Sequence, residues 1–213
     1  MAHPSEVGTL VLHGLRLKGF AETDVVAEAV NLADPEVVGA LEGFAADGLV
    51  SRRDGSRSGW SLTTEGRAEG ERRIVAELAQ VGADDLVEEA YQGFVGLNDG
   101  FLQVTTDWQL RPVAGDDLND RVTNDHTDEA YDADVVQRLA GIDVAVGPVC
   151  EGLSTGLERF AGYRPRLSHA LDRVRAGHAD WFARPMMDSY HSVWFELHED
   201  LLVTLGLNRA TET

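Results

Sequence analysis

Apolar residues recur at spacings of three and four along most of the chain, and the exceptions locate the turns. Val7, Leu10, Val11, Leu15 and Leu17 predict a helix over 6–18 that Gly19 ends. Thr23 is the expected N-cap of a second helix carrying Val25, Val26, Ala29 and Val30. Asp34-Pro35-Glu36 starts a third, with Asp as cap, Pro at the first helical position and an acid in the first turn. Its inward residues are Val37, Val38, Leu41 and Phe44, it runs to about Asp47, and Gly48 stands where a left-handed C-cap belongs. The periodicity then changes. Leu49-Val50 and residues 60–62 are short apolar runs around a Gly/Ser/Arg loop, which predicts a β-hairpin with a basic tip. Thr63 or Thr64 can cap the next helix, which covers 67–81 with Ile74, Leu78 and Val81 apolar.

Beyond residue 84 the pattern is helical throughout. Val87, Ala90, Phe94, Leu97, Phe101, Val104 and Trp108 alternate by three and four, the seam of a bundle helix over 84–110 that Arg111-Pro112 ends. Residues 112–134 read as an acidic loop. Helical segments follow at 128–160, with a break expected at Gly147-Pro148, at 163–176 and at 186–206, where Met187, Tyr190, Trp194, Leu197 and Leu201 repeat the bundle spacing. The expected fold is mainly α: a three-helix-and-hairpin domain over 1–75, then a helical bundle over 76–213.

Residues 48–67 contain Gly-Leu-Val followed by Leu-Thr-Thr-Glu-Gly-Arg across the hairpin. With three short helices upstream, this stretch resembles the winged helix-turn-helix of bacterial regulators of the MarR and PadR types. The resemblance covers about the first third of the chain. It implies transcriptional regulation and DNA binding, with the third helix offered to the major groove. It also implies a homodimer joined through the first helix and the C-terminal helices.

Charge changes how that resemblance is read. The chain carries a net −19, with 8 basic and 12 acidic residues over 1–75 and 10 basic and 25 acidic residues after that. A field of that sign repels nucleic acid. No Arg, Lys, Asn, Gln, Ser or Thr lies between Pro35 and Asp47, so the third helix lacks the side chains that read base edges or hold phosphates. DNA contact therefore falls to Arg52, Arg53 and Arg57 of the hairpin, with Arg16 or Lys18. The alternative is a winged helix that docks a protein partner through its acidic surface.

Twelve of the 15 aromatic residues follow residue 90, so the bundle is the place to look for an effector pocket. Tyr91, Asn98 and Thr105 recur every seven residues beside the seam. Trp181-Phe182, Met186-Met187 and Trp194-Phe195 supply apolar surface, and Asp188, His191 and His198 supply polar groups on the last helix. The ligand-binding candidates are thus Tyr91, Asn98, Trp181, Asp188, His191, Trp194 and His198, and the same residues equally serve as core and helix-edge packing. Asp188 and His191 have the i, i+3 spacing of di-metal bundles, but no second such pair stands on a bundle helix, so no metal is expected. The acidic loop, with Asn124, Asp125, His126, Asp128, Glu129 and Asp132, lacks the EF-hand order. No nucleophile elbow, dinucleotide fingerprint or phosphate loop occurs, so neither catalysis nor a cofactor is expected. A single cysteine, Cys150, excludes an internal disulfide, and no apolar run is long enough to span a membrane, so the cytoplasm is the expected compartment.

Overall fold

The computed structural model describes residues 1–55, 57–112 and 121–207. Among these the chain is mainly α. Helices α1 (Val7–Lys18), α2 (Thr23–Val30) and α3 (Asp34–Ala46) precede a hairpin of β1 (Val50–Arg53) and β2 (Gly59–Leu62). Then come α4 (Thr64–Val81), α5 (Asp84–Gln109), a second hairpin of β3 (Leu110–Pro112) and β4 (Arg121–Thr123), and α6 (Glu129–Gly156). A 3-10 turn (Glu158–Gly162), α7 (Tyr163–Arg175), the single turn α8 (Asp180–Ala183) and α9 (Tyr190–Thr204) complete it. No described helix is long and apolar enough to cross a membrane.

The described chain divides into two compact units assembled from separate stretches. One holds 1–88, 153–162 and 198–207; the other holds 89–152 and 163–197. In the first, the apolar stripes of α1, α2 and α3 meet over Val11, Leu12, Leu15, Val26, Val37 and Leu41, all at or near zero exposure. The hairpin closes this core with Val50 and Trp60, and it is tied to the α1–α2 connection by two backbone bonds between Ala21 and Trp60, 2.8 and 3.1 Å. Three helices, a hairpin and that bridged residue are the arrangement of a winged helix.

Local chemistry explains most boundaries. Thr63 caps α4, its hydroxyl accepting the Gly66 N–H at 3.0 Å. Gly48 adopts φ +73° just past α3, a left-handed conformation that a side chain would resist. Two caps differ from expectation. Thr23 is the first residue of α2 rather than its cap, and its hydroxyl instead accepts the Trp60 indole N–H at 3.1 Å. Asp34 lies inside α3, where Ala33 holds the cap position and the Glu36 carboxylate accepts the Ala33 N–H at 3.4 Å.

In the second unit the α5 seam is inward as expected: Phe94, Phe101, Val104 and Trp108 are buried. Three expectations are corrected. Residues 110–112 and 121–123 pair as strands instead of forming one long loop. The α6 helix runs unbroken through Pro148, because the buried Leu139, Val146 and Cys150 on its inner side hold the turns on either flank of the missing N–H. The last helix starts at Tyr190, since Met186 turns left-handed (φ +64°) after Pro185. Asp116, Asp117 and Asp120 of the expected acidic loop lie outside the described residues.

Cys150 is 1% exposed, and burial, with Asp143 and Glu151 adding to it, pushes its thiol up to about 11. Native protein at pH 8 should therefore react with a thiol reagent at least about 100-fold more slowly than protein in urea, which absorbance of the released chromophore measures.

Candidate functional site

The hairpin carries the cationic candidates. Register places Arg52 opposite Trp60 and Arg53 opposite Gly59, so the two side chains leave on opposite faces. The Arg52 guanidinium lies 5.3 Å from the Trp60 ring centroid, and its Nε donates to Asp54 Oδ1 at 3.1 Å. Both members of that ion pair are largely solvated, with side chains 59% and 80% exposed, and such pairs are worth at most about 1 kcal/mol. Arg53 lies 5.5 Å from the ring centroid of Phe20, itself exposed, and Arg57 is exposed just beyond the tip. These guanidinium groups are available to an anion. Arg16 is not: its side chain is 15% exposed, bonded to Glu71 at 2.5 Å and to Glu199 at 3.1 Å. Lys18 is half-buried at the end of α1.

The helices beside the hairpin have the opposite character. Between Lys18 and Arg52 there are seven acids and no basic residue. Glu22, Asp24, Glu28, Asp34, Glu36, Glu42 and Asp47 are all exposed, as are Val25 and Val38.

In the second unit the structure brings together Asn98, His191 and Trp194 from the bundle candidates. Trp194 is 2% exposed; its ring lies 4.5 Å from Phe94 and 4.4 Å from Phe101, and its indole N–H donates to Asn98 Oδ1 at 3.1 Å. His191 stacks on Phe101 at 5.9 Å, and burial pulls its pKa below the ordinary histidine value. Trp181 stands apart, edge-on to His169 at 5.0 Å and beneath Arg173. Asp188 precedes α9 and faces Arg166, which grips it through two bonds of 2.8 and 2.9 Å while reaching Glu196 at 2.6 Å. Burial works against the Arg166 charge, but these two carboxylates win and raise its pKa above the ordinary range. Tyr91 is buried, and His198 is half-buried within the first unit. Among the described residues no group of three potential metal ligands converges.

Sequence reasoning missed two buried polar groupings. Tyr190, at zero exposure, donates its hydroxyl to Asp143 at 3.3 Å, and Arg164 holds the same carboxylate at 2.9 Å. Burial, then Asp143, pushes the Tyr190 hydroxyl well above the usual tyrosine range. In the first unit, Arg159 donates to Glu77 at 3.3 Å, to Thr204 at 2.7 Å and to Asp200, while His13 Nε2 lies 3.1 Å from Asp200. The usable signal was an acid at an inward helical position, Asp143 within 139–150 and Asp200 between Leu197 and Leu201.

No family model matches the chain, and no curated protein or solved structure matches it either.

Proposed function

We propose that this chain is a transcriptional regulator of the MarR and PadR kind whose winged-helix unit touches DNA mainly through its hairpin. The observation that carries the reading is a tip presenting exposed Arg53 and Arg57, with Arg52 held only by a solvated ion pair, on a fold of three helices and a hairpin. Guanidinium groups on a narrow ribbon neutralise phosphates or enter a minor groove. The α3 helix contributes little base readout, having no donor side chains on its exposed face. Discrimination between sequences then depends on groove shape more than on base edges, and the Phe94–Trp194 set serves as packing rather than as an effector site.

A second reading has its own support. The acidic, partly apolar surface of α2 and α3 suits a basic protein partner, with Val25 and Val38 as the apolar element. Fluorescence anisotropy with the upstream region of the chain's own gene separates the two. The regulator reading expects binding at about 50 mM salt that weakens steeply by about 200 mM. Replacing Arg53 and Arg57 together by Ala should weaken binding about tenfold or more at low salt and flatten the log–log salt slope by about two. Absence of binding at the lower salt gives the docking reading instead.

A further inference from the structure

The α6 helix has one side in the core and one side bare. Val135, Leu139, Val146 and Cys150 are buried, whereas Gln137, Gly141, Val144, Ala145 and Pro148 are exposed, Val144 at 73%. A Cβ placed on the exposed Gly141 meets nothing within 4 Å, so no described residue covers that position. Between Arg138 and Glu151 the one charged residue is Asp143, which is buried. About three turns of solvent-facing helix therefore carry no charge, in a chain of which 26% is charged. Exposed glycine inside a helix is unfavourable relative to alanine, and an internal proline more so. Residues so poor at making an isolated helix are well suited to letting another backbone come close.

We propose that this face packs against the same face of a second copy of the chain, the two α6 helices running antiparallel about a twofold axis between Val144 and Ala145. The sequence is self-complementary in that register. Val144 meets the second copy's Ala145, Gly141 meets its Pro148, and Gln137 meets its Gly152, so each larger group faces a small one. At both rims Arg138 meets the second copy's Glu151, a pair of opposite sign repeated by the symmetry, and no two like charges face each other between residues 137 and 152. Arg138 keeps its bonds to Asp107 and Asp134 while its side chain, 38% exposed, presents charge at the rim. Opposite charges at the two ends of an otherwise uncharged face select an antiparallel copy of itself over a uniformly basic partner.

Association has to overcome repulsion between two chains of net −19, so raising salt tightens the dimer, the reverse of the effect on DNA contact. Nothing in this inference depends on nucleic acid, and its test contains none. Sedimentation equilibrium of the full chain should show a monomer–dimer equilibrium that shifts toward dimer with added salt. Ala145→Arg should weaken it at least about tenfold. Ala145→Cys, treated with diamide, should form a covalent dimer much faster than Ala179→Cys, an exposed site away from α6. This trapping decides the matter should the arginine variant fold poorly. A chain that stays monomeric at about 100 µM in high salt overturns the proposal. So does a dimer indifferent to Ala145→Arg, or equal trapping at the two cysteine positions.

Discussion

Replacing Arg159 with methionine should lower the stability of the protein by about 3–5 kcal/mol, measured by urea denaturation. The Arg159 side chain is 3% exposed, and its guanidinium lies 4.3 Å from the Phe160 ring centroid and donates to Glu77, Asp200 and Thr204. Glu77 and Asp200 have side chains only 7% and 2% exposed. Methionine fills comparable volume but leaves two carboxylates in a medium that solvates them poorly, and that uncompensated charge is the main cost. Two further variants locate the cause. Lysine should recover part of the loss, since one ammonium cannot match the fork of donors that reaches Glu77, Asp200 and Thr204. Adding Glu77→Gln and Asp200→Asn to the methionine variant should restore much of it, because the charges needing compensation are then gone. A loss below about 1 kcal/mol would mean that water reaches these groups and that the network is not interior.

The second large effect is expected at Gly66, in the first turn of α4. A Cβ there would come 2.7 Å from the Leu49 carbonyl carbon and 3.2 Å from the Leu49 Cα, and closer still to the carbonyl oxygen. That segment cannot step aside: Leu49 O accepts the Thr63 N–H at 3.0 Å and the Thr63 hydroxyl at 3.1 Å, and the same hydroxyl lies 2.9 Å from Gly48 O. Gly66→Ala should therefore destabilise by about 3 kcal/mol despite the better helix propensity of alanine. Gly96→Ala, inside α5 with nothing within 4 Å, should stabilise by about 0.5–1 kcal/mol. Opposite signs for one chemical change, read by the same urea titration, distinguish backbone contact from propensity. Equal signs would refute the close approach of α4 to the end of α3.

The Gly66 contact also gives a physical meaning to the Leu-Thr-Thr-Glu-Gly-Arg cadence. Threonine caps the helix and ties it to the strand end, and glycine admits the Leu49 backbone. Features of this kind were legible because they are local: Gly48 past α3, Thr63 at the start of α4, and the three-and-four seam of α5 each depend on residues within a turn or two. What escaped the sequence depends on distant partners. Arg16 reads as a free cation on α1, yet one of its carboxylates is Glu199, 183 positions away. Asp188 and His191 suggest a pair by spacing, but the tertiary fold gives the aspartate to Arg166. Pro148 looks like a helix break because the sequence does not show how firmly the flanking turns are packed. The β3–β4 pairing involves only three residues per strand, too few for an alternating pattern to emerge. The aromatic residues after position 90 were visible as a group; that Trp194 and Asn98 satisfy each other required the fold.

The first unit draws its residues from three stretches of the chain, with 153–162 and 198–207 joining 1–88. During synthesis the 1–88 segment is made first, but the acid and the hydroxyl that complete the Arg159 network, Asp200 and Thr204, come from α9, which is made long after it. Until they arrive, Arg159 has Glu77 alone of its three acceptors, and His13 lacks the carboxylate that faces it. Folding of this unit therefore cannot be completed before α9 has been made, and it has to close contacts between segments far apart in the sequence.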